Sequence, residues 1–164
     1  MSYLTVQLNT NHKKKDFDCG KPLLNSYLYY QAKQDVKKRL SACFILEDKD
    51  NYIKGYYTLS SSSINKALVP GDILKKMPPA YHHLPVTLLG RLAVDNSYKG
   101  QGLGELILLD ALKRSFENSL TIGSIAVVVN PLDEDAIKFY AKYGFILLPD
   151  SGKMFIPMET IAAL

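Results

Sequence analysis

Tryptophan is absent from this 164-residue chain, and cysteine is nearly so, at Cys19 and Cys43 only. Two cysteines cannot staple a secreted disulfide scaffold, so the expected setting is reducing and cytoplasmic. No apolar run approaches the roughly 20 residues that span a bilayer, so no membrane partner is expected. The start, Met1-Ser2-Tyr3-Leu4-Thr5-Val6-Gln7-Leu8, lacks a charged segment leading into a long apolar one, so no signal peptide is expected. Repeats, low-complexity stretches and linkers are missing too, which predicts a single domain over residues 1–164. The adjacent His82 and His83 and the two separated cysteines lack structural-zinc spacing, so no metal is expected. Neither sign of charge dominates: 20 basic against 16 acidic residues leave +4, which permits a polyanionic ligand without demanding one. What is present is ordinary globular material, 47% hydrophobic and 22% charged, with an unusual 11 tyrosines.

Hydropathy patterning gives alternating strands and helices. Residues 3–8 alternate as a short strand, and residues 23–38 form a helix with Leu24, Leu28 and Ala32 as its apolar stripe. Residues 42–46 and 52–60 make a hairpin about the turn Asp48-Lys49-Asp50-Asn51, and residues 60–65 read as loop. A short helix is expected near residues 68–77, and the proline-rich stretch 77–85 reads as irregular. Residues 86–94 form a strand interrupted by Gly90, the mark of a bulge or a close backbone approach. A long helix then runs to about Asn118, with Leu103, Leu106, Ile107, Leu109, Leu112 and Phe116 expected as a broad buried face. Asp110 on it is expected to be solvated, paired with Lys113 or Arg114. Residues 125–129 read as a central buried strand, 133–143 as a helix ended by Gly144, and 145–148 and 154–157 as closing strands. The class is α/β or α+β, with a mixed central sheet of about six to seven strands flanked by about four helices.

The densest local signal is Leu89-Gly90-Arg91-Leu92-Ala93-Val94-Asp95 followed by Tyr98-Lys99-Gly100-Gln101-Gly102-Leu103-Gly104. Glycine at every second position leaves backbone N–H groups unshielded where a helix begins, a geometry that holds a diphosphate without basic side chains. No Gly-Lys-Ser/Thr closes the turn, and the third glycine falls too early for a dinucleotide fingerprint. The second signal is Asn130-Pro131 followed by Phe139-Tyr140-Ala141-Lys142-Tyr143-Gly144-Phe145, which puts three aromatic rings on one helix.

In this order the two blocks resemble the GNAT (Gcn5-related) N-acetyltransferases, with Lys99 where that family usually has Gln or Arg. The resemblance implies that acetyl-CoA is the co-substrate. Its pyrophosphate would lie on Lys99, Gly100, Gln101, Gly102, Leu103 and Gly104, and its pantetheine along Leu92, Ala93 and Val94. Asn130 would also contact it, and Tyr140 would stand near the sulfur as the catalytic residue. Phe17-Asp18-Cys19-Gly20-Lys21-Pro22, Gly55-Tyr56-Tyr57-Thr58-Leu59-Ser60 and the Gly90-Arg91 strand are similar to the GNAT toxins of bacterial toxin–antitoxin modules. That likeness implies acetylation of the α-amino group of aminoacyl-tRNA, arrest of translation, a ribbon-helix-helix antitoxin and a homodimer. Lys33, Lys37, Lys38, Arg39 and Arg91 then become candidate tRNA contacts.

One physical argument bears on the acceptor independently. The strand Arg91 to Asp95 supplies no Glu, and Asp95 at its end is expected to cap the next loop. A lysine amine, with a pKa of about 10.4, needs a strong base, whereas a peptide α-amine of about 7.7–8.0, lowered further by esterification, is largely neutral at about pH 7 to 8. A site without a base therefore fits an α-amine better. Two other functions remain open: acetylation of another small-molecule or protein amine, and a non-catalytic CoA- or partner-binding module. Cys19 and Cys43 read as small buried residues rather than nucleophiles.

Overall fold

The computed structural model describes residues 2–164. Seven strands form one sheet in the order β1-β2-β3-β4-β5-β7-β6. They are β1 (Val6–Gln7), β2 (Ala42–Glu47), β3 (Ile53–Asn65), β4 (His83–Val94), β5 (Ala126–Val129), β6 (Ile146–Leu147) and β7 (Met154–Pro157). β4 and β5 pair in parallel, while β1 with β2, β2 with β3, β5 with β7 and β6 with β7 pair antiparallel, so the sheet is mixed as expected. The helices are α1 (Pro22–Ser26), α2 (Ala32–Lys37), α3 (Gly71–Leu74), α4 (Leu103–Ser119), α5 (Glu134–Lys142) and α6 (Met158–Ala162). A π turn, Tyr27–Gln31, joins α1 to α2, so the single helix expected there is continuous but widened in its middle.

The chain divides into two compact units, Met1–Ser60 with Leu89–Leu112, and Ser61–Leu88 with Lys113–Leu164. The core of the first is Phe17, Leu28, Ile45, Tyr56 and Ala93, with the predicted stripe Leu24, Leu28 and Ala32 turned into it. Cys19 and Cys43 are buried there as free thiols, and burial pushes Cys43 up to about 12. The core of the second is Ile64, Val86, Ala126, Val128, Leu148 and Phe155. β5 is buried at all four positions, as its β-branched run requires. Asp133 caps α5 by accepting from the Ala136 N–H at 2.8 Å, and Gly144 just past its end takes φ +100°.

Four expectations are corrected. Residues 60–65 are not loop: β3 continues to Asn65, because Ile64 anchors the polar run by packing into the second core. Residues 83–85 belong to β4, and Pro85, which has no N–H to give, accepts from Ile125 N–H instead. On α4 the buried positions are Ile107, Leu108, Ala111 and Leu112, whereas Leu106 and Leu109 are exposed. Asp110 is not solvated either. It is 5% exposed, and its carboxylate accepts from Leu4 N–H at 2.7 Å, Thr5 Oγ1 at 2.6 Å and Tyr57 Oη at 2.8 Å. A buried carboxylate is tolerable only when donors replace its water, and these three come from the N-terminal segment and β3.

Asp110→Ala strands those donors and should lower the unfolding free energy by about 3 kcal/mol, with Tyr57→Phe costing about 1–2 kcal/mol. Urea denaturation measures both. A loss below about 1 kcal/mol for Asp110→Ala would show the cluster to be incidental.

Candidate functional site

β4 leaves the sheet into a short 3-10 turn, Asn96–Tyr98, whose cap is Asp95. Asp95 is buried, accepts from Ser97 N–H at 2.9 Å, and therefore caps the loop as its position predicted. Gly100 and Gly102 follow with φ of +80° and +76°, and a Cβ at either would meet nothing within 4 Å. Glycine is demanded here by backbone conformation, not by crowding, since an L-residue in the left-handed region costs about 1–2 kcal/mol. Residues 100–102 are exposed, and Leu106 N–H bonds Gly102 O at 3.2 Å. The N–H groups of Leu103, Gly104 and Glu105 precede the first helical bond of α4, so none has a partner within the helix. First-turn amides without helical partners and the helix dipole together make a place for an anion.

The turn does not stand alone. The loop before α1 is clasped to it: Asp18 N–H donates to Asp95 Oδ1 at 2.9 Å, Asn96 N–H to Asp18 O at 2.8 Å, and Lys99 Nζ to Cys19 O at 2.6 Å. Asp18 Oδ1 in turn accepts from Gly20 N–H and Asn25 Nδ2, which hold its carboxyl below the usual carboxylate range. Gly20 has φ +83°, and a Cβ there would sit 3.3 Å from Asn96 Oδ1. Lys99 thus has a structural partner, which the motif alone did not indicate. Sequence spacing missed the clasp because its two halves are far apart in the chain.

On β4, Ala93 is buried in the first core while Leu92 and Val94 are half-buried. β4 approaches β3 closely at two glycines. A Cβ on Gly55 would lie 2.9 Å from Ala93 O, and one on Gly90 would lie 3.0 Å from Thr58 Oγ1. Gly90 therefore marks the close approach that its place in a strand suggested. The parallel register with β5 covers Thr87↔Val127 and Leu88↔Val128, so Leu92 to Val94 lie beyond it.

In the second unit, Asn130 is exposed just after β5. Tyr140 is 8% exposed on α5, its ring against Phe139 at 5.3 Å and Phe145 at 5.1 Å. Burial pushes its phenol well above the ordinary tyrosine value, so it keeps its proton at neutral pH. Tyr143 is half-buried, with Lys142 Nζ 5.5 Å from its ring centroid.

Of the five basic candidates, Lys33, Lys37 and Lys38 line one pocket. Arg39 lies just past the helix at φ +59°, where Leu40 N–H closes the turn on Asp35 O. Arg91 is separate again. Its guanidinium stands 3.4 Å over the ring of Tyr27, whose hydroxyl donates to Asp35 at 2.8 Å. Burial and that carboxylate push the Tyr27 phenol up to about 12.

Residues 39–147 match the acetyltransferase (GNAT) domain family. A tRNA-acetylating toxin of Mycobacterium tuberculosis is 36% identical over 149 residues, covering 90% of this chain and 87% of that one. AtaT, solved in complex with acetyl-methionyl-tRNAfMet, superposes with a TM-score of 0.89 at 30% identity, over 97% of this chain and 96% of that one. A tyrosine-to-phenylalanine mutant of the AtaT toxin, bound to the C-terminus of the antitoxin AtaR and acetyl-CoA, gives 0.81 at 26% identity, over 97% and 95%.

If the clasp sets the turn, Lys99→Met should weaken acetyl-CoA binding about ten- to a hundredfold, the worth of one charge-assisted hydrogen bond. Gly102→Val should remove binding altogether. Calorimetric titration reads both. A Gly102→Val protein that binds as tightly as the wild type contradicts the assignment of the turn.

Proposed function

The chain belongs to the GNAT acetyltransferase family, and on that premise we propose that it transfers the acetyl group of acetyl-CoA to the α-amino group of aminoacyl-tRNA and so arrests translation. The observation that carries this reading is the turn at Gly100 and Gly102: exposed, left-handed, clasped to the loop before α1, and placed at the start of α4. Amides of Gly100, Gln101, Gly102, Leu103 and Gly104 hold the pyrophosphate, with Lys99 as their strut. Backbone groups of Leu92, Ala93 and Val94 take the pantetheine amides, and a strand N–H there meets the oxyanion as the amine attacks the thioester. No acyl-enzyme is needed, because both thiols are buried and protonated. The leaving thiolate needs a proton or a hydrogen bond, and Tyr140, held protonated by burial, is the donor. Asn130 contacts the coenzyme arm.

The acceptor amine needs no side-chain base: its pKa, about 7.7–8.0 for a free α-amine and lower once the carboxyl is esterified, leaves the neutral, attacking form abundant near pH 8, and the proton shed after attack goes to water. Lys33, Lys37, Lys38, Arg39 and Arg91 are the cations offered to the tRNA. The reading extends to one domain over residues 1–164, a cytoplasmic setting, a homodimer and a ribbon-helix-helix antitoxin as keeper. The AtaT–AtaR pair supports a protein antitoxin as the keeper.

Added to a cell-free translation system with acetyl-CoA, the protein should stop synthesis, and fresh aminoacyl-tRNA should restore it. Tyr140→Phe should lower kcat about 10²–10⁴-fold with acetyl-CoA affinity nearly intact. Tyr143→Phe is the control and should stay active. Wild-type turnover by Tyr140→Phe would remove it as the donor.

A further inference from the structure

Beside the 3-10 turn Lys14–Asp16, an open pocket of about 560 Å³ is walled by the π turn and α2. Four lysines line it, Lys14, Lys33, Lys37 and Lys38, together with the rings of Tyr29 and Tyr30. Gln34 supplies an amide with both donor and acceptor, and no acidic residue lines the pocket. Its size is that of a small-ligand site, with room for a nucleotide. Tyr30 is 73% exposed, a large ring left in water with Lys15 Nζ 5.0 Å from its centroid. Tyr29 stands edge-on to it at 5.9 Å and is pinned by its hydroxyl, which donates to Phe17 O.

The π turn is what produces this arrangement. It lies at Tyr27–Gln31, adds a residue to one helical turn, and belongs to a class of distortion frequent at functional sites. Tyr27 is buried under Arg91 and tied to Asp35, while Tyr29 and Tyr30 face the pocket.

We propose that this pocket takes an unpaired nucleotide of the RNA substrate, its base stacked on Tyr30 and its flanking phosphates on the lysines. The inference rests on the tRNA reading above and specifies the part of the molecule gripped. A duplex shows a protein mainly phosphates and would use the lysines alone. A ring with a cationic rim is the combination that binds single strands.

The test uses a fluorescent single-stranded hexaribonucleotide and an RNA hairpin stem of equal phosphate count, titrated by anisotropy without acetyl-CoA. The wild type should prefer the single strand. Tyr30→Ala should weaken it about tenfold or more and leave the salt slope unchanged, while Tyr30→Phe restores affinity. Lys33→Ala and Lys37→Ala should each reduce the slope of log affinity against log salt by about 0.7. Equal affinity for stem and strand, or no effect of Tyr30→Ala, overturns the proposal. The two readings fail separately. If the wild type binds the hexamer through Tyr30 but does not bind acetyl-CoA, the acetyl-transfer reading falls and the pocket stands.

Discussion

Three hydrogen bonds between the loop before α1 and the loop after β4 fix the part of the molecule on which the chemistry rests. A phosphate-binding turn made of glycine has no side chains to hold its shape. Left alone, such a segment would sample many conformations, and binding would have to order it. Asp95 and Lys99 act against that freedom from one side, Asp18 and Cys19 O from the other. The site can then afford glycine where amides must be bare. The same clasp ties the turn to the start of the helix that carries the cations, so the two share one anchor.

A second polar anchor steadies that unit from behind. Asp110 gathers a backbone N–H and two hydroxyls into the apolar face of α4, linking the N-terminal segment, β3 and the helix that starts at the turn. Gly55 and Gly90 let β3 and β4 approach where a methyl would collide. The rigid parts are thus the strand and helix on either side of the turn, and the exposed part is the turn itself.

Much of this was legible in the sequence. The β-branched run of β5, the capped helix α5 and the β2–β3 hairpin follow from periodicity and turn residues. The Gly-rich turn was visible because its glycines cluster within five residues. What stayed hidden depends on distant partners. Asp110 meets Thr5 across 105 positions and Tyr57 across 53, so its neighbours on the helix pointed the wrong way. The end of β3 was masked by Ser60-Ser61-Ser62-Ser63, where a single buried Ile64 does the anchoring. The π turn left no trace, because Leu24, Leu28 and Ala32 keep an ordinary helical stripe through it. The run Tyr29-Tyr30 beside Lys33 was the available hint of the pocket.

The chemistry assigned to these residues asks little of the protein beyond positioning. An α-amine near its own pKa needs no strong base, a thioester is already activated, and a buried phenol that keeps its proton can give the departing thiolate a hydrogen bond. That economy makes the nature of the acceptor the central claim. Radiolabelled acetyl-CoA, incubated with the protein and either aminoacylated or uncharged tRNA, tests it most directly. The account predicts label on the charged tRNA alone, released as N-acetyl-amino acid when the ester is hydrolysed by base. Label on uncharged tRNA, or on the lysines of added protein with none on aminoacyl-tRNA, would contradict it.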